Sequence, residues 1–336
     1  MESHHDLASD ILQLADTTIT DRRKIRQVGR IFPSTGKASL NNPKSSSQPP
    51  ATGAKVHTSA GSSWQIPRGV SKGNWDYVRA NQIAEQYDRF LNDDPLTKVD
   101  WQIIDRYLKP VDANARDNLS GDQGVAPLVA DLGCGTGRTL LPLLKRGYRG
   151  LAIDLSMPML NQFATKSGSE NAEALLQTGQ LTLLNANLCE LDGLKDNSID
   201  HAICMFSTLG MITGSANRAS FLKHVRRVLK PGGLFIVHAH NVWFQLRSPG
   251  GIKWALGNFW SKLFKGSEFG DRTADYRGLR ELFIHSFRKN ELRRALVDQE
   301  FNNLTWHGVE PGAVEVTQQT GPGSSLRLVG WIVVCS

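Results

Sequence analysis

Only four of the 336 residues are cysteine, at positions 134, 189, 204 and 335, and no two of them form a C-x-x-C pair. That argues against a disulfide framework and against a zinc centre; no metal site is predicted. Three of the four lie in or beside apolar, strand-like runs, where a free cysteine behaves as a small hydrophobe. No apolar run approaches the roughly 20 residues that cross a bilayer, so no integral membrane segment is predicted. The N-terminal stretch carries Glu2, Asp6 and Asp10 and lacks the apolar core of a secretory signal. A reducing, cytoplasmic setting is the expectation. The net charge of +7 sits in short clusters such as Arg22-Arg23-Lys24, Arg226-Arg227 and Arg293-Arg294. These read as solvated helix faces or as the footprint of a polyanion such as RNA.

Residues 1–73 are predicted to be a largely disordered extension. A weak helical pattern (Leu7, Ile11, Leu14) gives way, from 33 to 72, to Ser, Gly, Pro, Asn and Thr with almost no apolar periodicity. Such a segment cannot bury enough surface to offset its ordering entropy. The domain is predicted over 74–336, opening with helices around 77–91 and 99–108. Strands follow at 128–131, 150–154, 181–185, 199–205 and 234–240, with helices at 139–146, 157–166, 217–229 and 290–299. Lys230-Pro231-Gly232-Gly233 reads as a helix stop followed by a turn. Two late strands, 302–309 and 326–334, are placed to pair antiparallel. The expected class is α/β: a doubly wound, Rossmann-like sheet of about seven strands, mostly parallel, with an antiparallel C-terminal edge hairpin and helices on both faces.

What stands out in this frame is Val129-Ala130-Asp131-Leu132-Gly133-Cys134-Gly135-Thr136-Gly137-Arg138, an apolar strand that runs into three alternate glycines and then a helix. Such a turn brings bare N–H groups and a helix N-terminus up to a nucleotide-like ligand. The spacing G-x-G-x-G, with Asp in front, departs from the G-x-G-x-x-G of dinucleotide folds. Asp154 ends the next strand, 17 residues beyond Gly137, where an acidic side chain accepts hydrogen bonds from ribose hydroxyls. Its alternative role, capping the following helix, falls more naturally to Ser156, with Pro158 in the first turn.

With Asp131, the three glycines and Asp154 in place, the chain resembles the class I S-adenosylmethionine-dependent methyltransferases. The stretch 186–191 leading to Asp196-Asn197-Ser198-Ile199-Asp200, and the run 225–233, are similar to that family's approaches to its fourth and fifth strands. The resemblance implies S-adenosylmethionine as cofactor. It places Gly133, Gly135 and Gly137 at the methionine moiety, with Asp131 holding the amino group. Arg138 and Leu188 fall in the same cofactor site, and Leu155 and Met205 would sandwich the adenine. Asn187 stands where the family usually has Asp facing the adenine amino group; an amide oxygen still accepts that bond, without the charge. Tyr87-Asp88 matches the family's N-terminal Tyr-Asp, so Tyr87 either caps the cofactor or is a core aromatic.

Methyl transfer needs mainly in-line positioning, with a base only for a nucleophile whose proton has a high pKa. Candidates for the acceptor side lie where strands four and five end: Ser207, Thr208, His238, His240 and Asn241. His240, nearest the carboxyl edge, is the candidate base or substrate contact, with a structural histidine as its alternative. Segment 242–280 is rich in Trp and Phe, and Ile252, Leu256, Phe259 and Leu263 recur at helical spacing with Lys253, Lys262 and Lys265 between them. It reads as a lid packed on the domain, as an apolar substrate pocket, or, over 252–265, as a helix on a membrane surface. The acceptor expected is a small or lipophilic molecule. Residues 283–292, through His285 and Phe287, resemble tRNA wobble-uridine methyltransferases, although the closing Asn-Trp of that family is absent. His285 therefore joins the substrate candidates, and tRNA is the alternative partner. A catalytically silent methyltransferase-like binding module is the alternative of another kind.

Overall fold

The structure, a computed structural model, describes residues 66–91, 94–111, 126–166, 172–247, 251–253, 257, 267–312, 317–318 and 326–336. The predicted extension falls outside the described residues except for 66–73, and those are built onto the domain. The Gly69 carbonyl accepts from Thr213 N (2.8 Å), the Arg68 carbonyl from Asn187 Nδ2 (3.0 Å), and Arg68 Nε donates to Asn217 (2.8 Å). The folded part thus begins several residues before the composition shift suggests, because backbone groups rather than apolar side chains attach it.

Three helices precede the sheet. They are α1 (Lys72–Val78), capped by Ser71; α2 (Asn81–Leu91); and α3 (Pro95–Tyr107), whose N-cap Asp94 accepts from Leu96 N. The strands β1 (Leu128–Leu132), β2 (Arg149–Asp154), β3 (Leu181–Asn185), β4 (Ile199–Cys204) and β5 (Leu229–His240) run parallel. The helices between them are α4 (Leu140–Lys145), α5 (Met157–Ala164), α6 (Ala172–Gln177) and α7 (Ser215–Val228). After the hairpin β6 (Asp271–Tyr276) and β7 (Leu279–His285), the chain closes through α8 (Lys289–Val297), β8 (Thr305–Val309), β9 (Thr317–Gln318) and β10 (Gly330–Cys335). Strand order in the main sheet is β3-β2-β1-β4-β5-β10-β8-β9, with β10 antiparallel to both β5 and β8. The predicted doubly wound sheet with an antiparallel C-terminal pair is present, and the two-residue β9 makes an eighth strand.

Alternation along each strand splits the core between two faces. Ala130, Ala202, Cys204, Phe235, Val237 and Trp331 pack with α7 and α8. Val129, Ile203, Ile236 and Ile332 pack with α3 and α4 on the other side. The order reverses between β1 and β4, and in open α/β sheets ligands bind in the crevice beyond the strand ends at that point.

One expectation needs correction, and two elements were not expected. Lys230-Pro231-Gly232-Gly233 is not a free turn before the strand: Leu229 already pairs with Ile199, and the register jumps to Leu234 beside His201. The segment is a bulge inside β5, with Gly232 at φ 77° and Lys230 Nζ bonded to Asp200 (2.7 Å). Helix α6 was outside the sequence reading. The end of the 242–280 insertion is a hairpin, which the sequence reading did not anticipate. Tyr276 pairs with Leu279 across Arg277-Gly278, both with positive φ, as a two-residue type I′ turn requires. Of the 252–265 helical pattern, residues 252, 253 and 257 are helical and the remainder lie outside the described residues.

Candidate functional site

The site grows from the glycine turn at the carboxyl end of β1. Gly133 (φ 81°) and Gly137 (φ 82°) are required twice over, by backbone conformation and by space. A Cβ on Gly133 would overlap the Thr208 methyl, and one on Gly137 would enter the Phe163 ring. Gly135 turns its N–H to Asp154 Oδ2 (2.8 Å), and the Tyr87 ring lies over it, 3.4 Å from where a Cβ would stand. Tyr87 of α2 thus covers the turn, and α1 contributes a partner absent from the sequence reading. Tyr77 acts on the Tyr87 phenol, and its ring meets Tyr276 of the hairpin edge-on at 6.1 Å. Burial, followed by each other's proximity for Tyr77, pushes both phenols well above their ordinary range. Tyr77 carried no separate sequence signal, because it reads as one more apolar position on a helix.

Two carboxylates flank the turn, one buried and one half-buried. Asp131 accepts from Thr139 Oγ1 (2.6 Å), and burial raises its carboxyl to about 7. Asp154 accepts from Gly135 N and, through Oδ1, from Ser156 N (2.8 Å); burial raises it too, against those N–H groups. Ser156 caps α5, so Asp154 has no capping duty. Neither carboxylate is hydrogen-bonded to a basic side chain among the described residues. A ligand offering an ammonium group and hydroxyls as donors answers these acceptors.

The remaining cofactor candidates divide. Arg138 reaches away from the turn to Asp100 of α3 (3.1 Å) and lies over the Phe206 ring at 5.8 Å. Leu155 is half-buried just beyond β2, and Leu188 is buried on the α7 side of the core. Met205 is drawn into the core on the α3–α4 side, which removes most of the adenine wall expected of it. Asn187 donates to the Arg68 carbonyl and to Glu190 (3.1 Å), while its Oδ1 accepts from Cys189 N (3.1 Å).

On the acceptor side, Phe206 (φ 52°) and Ser207 (φ 61°) take left-handed backbone in succession beyond β4. Ser207 is fully buried, its Oγ accepting from His240 N (3.2 Å), and Thr208 donates to the Met205 carbonyl (3.0 Å) while covering Gly133. His240 therefore stands two contacts from the glycine turn. Its ring is half-buried, with Nε2 shut off from solvent and unpartnered. Burial, then His238 and Arg272, depress it to about 3. His238 lies deeper, its Nδ1 2.8 Å from Asp100.

Two substrate candidates prove to be internal ties. The buried Asn241 amide donates to the Leu328 carbonyl (2.8 Å) and its Oδ1 accepts from Trp243 N (3.1 Å). His285 is fully buried between Asp271 (2.7 Å) and Glu291 (2.9 Å), so both ring nitrogens are occupied. Burial lowers its pKa, but those two bonds outweigh it and raise the net value. Glu268, Asp271 and His285 bring ligand-type atoms together, yet Arg218 pairs with Glu268 and His285 with Asp271, so the cluster is closed by its own ion pairs.

Residues 130–237 match a family described as a methyltransferase domain. A Geobacillus sp. protein described as a candidate methyltransferase is 26% identical over 162 residues, 48% of this chain and 57% of that protein. The Homo sapiens thiol S-methyltransferase TMT1B is 31% identical over 147 residues, 44% and 52% of the two chains. The chain thus spans about half the length of these curated relatives. Among solved structures, a SAM-dependent methyltransferase from Methanosarcina mazei superimposes with a TM-score of 0.48 and 23% identity, covering 67% of this chain and 97% of that one. The match to a methyltransferase domain spans the glycine turn, Asp154 and the motifs through Gly233, and the chain is similar to methyltransferases over that region.

Proposed function

We propose that the chain binds S-adenosylmethionine across the carboxyl ends of β1, β2 and β4 and transfers its methyl group to a small or lipophilic acceptor. The observation that carries this reading is the pair of carboxylates, buried Asp131 and half-buried Asp154, on either side of a glycine turn at the sheet's switch point. Asp131 answers the ammonium group of the methionine end, and Asp154 the ribose diol. Gly133, Gly135 and Gly137 let the chain approach, Tyr87 and Tyr77 close over it, and Leu155 and Leu188 supply the adenine walls. Asn187 keeps an acceptor oxygen for the adenine amino group, shared with Cys189 N.

When bound, the cofactor supplies an activated methyl group, so the protein's work is to align an acceptor behind it and to exclude water. Phe206, and Trp243 against Phe269 at 5.8 Å beyond β5, give the acceptor side an apolar wall. The alternative of tRNA loses its residue-level support, because both nitrogens of His285 face carboxylates. A cytoplasmic site of action agrees with four free, buried cysteines. No helix among the described residues is long and apolar enough to cross a membrane.

Calorimetric titration tests the reading. S-adenosylmethionine should bind and NAD should not, and Asp154→Ala should weaken binding by about tenfold to a hundredfold, as expected for loss of charge-assisted hydrogen bonds. No binding to the unaltered chain would overturn the proposal. Undiminished binding to the variant would remove Asp154 from the ribose.

A further inference from the structure

We infer that Asp88 is a positioning residue of the cofactor site. It fastens α2 to the glycine turn through Thr136 and to the end of α5 through Lys166, and so holds the neighbouring Tyr87 ring over Gly135. The inference rests on the cofactor reading above and adds to it a residue that acts through its neighbour.

Tyr87 and Asp88 are consecutive on α2, so their side chains leave the helix about 100° apart. Both nevertheless end at the same turn. The Tyr87 ring lies 3.4 Å from where a Cβ on Gly135 would stand, and Asp88 Oδ1 accepts from the hydroxyl of Thr136, the next residue. Thr136 is fully buried between Gly135 (φ 53°) and Gly137 (φ 82°). A hydroxyl shut off from water in this way needs a partner within the protein, and Asp88 supplies it. The second carboxylate oxygen lies 3.0 Å from Lys166 Nζ, on a side chain only 17% exposed. Lys166 belongs to the end of α5: its N–H donates to the Phe163 carbonyl (3.2 Å), and the Phe163 ring fills the space beside Gly137. One carboxylate therefore ties together α2, the glycine turn and the helix packed against that turn.

Packing alone would leave the placement of α2 loose. Ile83 and Ala84 meet Met159 and Tyr276, and the Arg277 guanidinium of the hairpin lies over the Phe90 ring. Apolar contacts of this kind favour burial without fixing a direction. A carboxylate bonded at both oxygens fixes distance and angle together. Asp88 thus turns a helix resting on the domain into one that aims Tyr87 at the turn.

The test first establishes S-adenosylmethionine binding to the unaltered chain by calorimetry; its absence overturns the cofactor reading, and this inference with it. Affinity is then measured for Asp88→Ala, Tyr87→Ala, the double variant and Asp88→Asn, each with its urea midpoint in the absence of ligand. Asp88→Ala should weaken binding about tenfold, and Asp88→Asn about threefold or less, since an amide oxygen still accepts from Thr136. Because Asp88 acts through Tyr87, adding Asp88→Ala to Tyr87→Ala should cost less than about twofold more. The same cycle with Thr136→Val, which removes the hydroxyl from the other side of the bond, decides the question if Asp88→Ala does not fold. Additive losses in these cycles, undiminished binding to Asp88→Ala, or losses that follow the urea midpoint whether or not Tyr87 is present overturn the inference.

Discussion

Phe206 and Ser207 carry side chains in a backbone region that disfavours them by roughly 1–2 kcal/mol each. Their neighbours hold them there. The Ser207 carbonyl accepts from Gly210 N (2.8 Å), its hydroxyl from His240 N, and Thr208 is wedged against Gly133. Strain of this kind persists where the surroundings over-determine it, and here it sits between the glycine turn and the acceptor side. At this scale two outcomes are expected. Ser207→Gly should be more stable than Ser207→Ala by about 1 kcal/mol in urea unfolding, since both lose the hydroxyl but only glycine relaxes the backbone. Gly133→Ala should destabilise by about 2 kcal/mol or more and abolish cofactor binding, because its Cβ meets Thr208 and its φ stays positive. A Gly133→Ala protein with unaltered calorimetric binding would show that the turn has room the geometry denies it.

The hairpin β6–β7 is the element that the sequence concealed, and one side chain from α1 fastens it. Buried Asn74 accepts from Phe283 N (2.8 Å) and donates to the carbonyls of Phe283 (3.1 Å) and Met211 (2.9 Å). It thereby joins the N-terminal helix, the hairpin and the turn beyond β4. Asn74→Ala leaves three buried backbone groups without that partner, so a loss of about 2–3 kcal/mol is expected. Hydrogen exchange should quicken in residues 271–285 and 208–211 while the central strands keep their protection. Uniform exchange across the sheet would assign Asn74 to global stability alone. Positive φ at Arg277 and Gly278 shows where the signal was: a glycine between two alternating runs, with arginine where asparagine or aspartate usually announces such a turn.

Across the whole molecule, His285 links three elements. Asp271 opens β6, His285 ends β7 and Glu291 lies in α8, and Arg218 of α7 joins through Glu268. The His285 pKa lies above its ordinary 6.5, so its contribution is complete below 6.5 and disappears as pH rises through the raised value. Burial raises Asp271 and Glu291, but the bonds to His285 prevail and hold them below their ordinary 3.8 and 4.5. Their contribution is complete above 4.5 and disappears as pH falls through the lowered values. The stability difference between the unaltered chain and His285→Gln should therefore be greatest between pH 4.5 and 6.5 and shrink on either side. A difference that is constant from pH 5 to 9 in denaturant unfolding would contradict the protonated bridge.

The sequence by itself determined the doubly wound sheet and the glycine turn beside the point where its strand order reverses. Period-two strands and period-3.6 helices are local patterns, and three alternate glycines between them state a backbone requirement that few other residues meet. It also placed Asp131 and Asp154, the last but one residue of β1 and the last of β2, since both strands are legible as strands. What only the tertiary structure decided is which side chains remain available for chemistry. His240, His285 and Asn241 are equally polar in the sequence, yet the first keeps its Nε2 unpartnered and the other two are bonded inward through their side chains. That outcome depends on Asp100, Asp271, Glu291 and Leu328, whose distances from them along the chain vary from six residues to well over a hundred. The charge and the partner of a buried group are set by what folding brings beside it, and no local pattern encodes that.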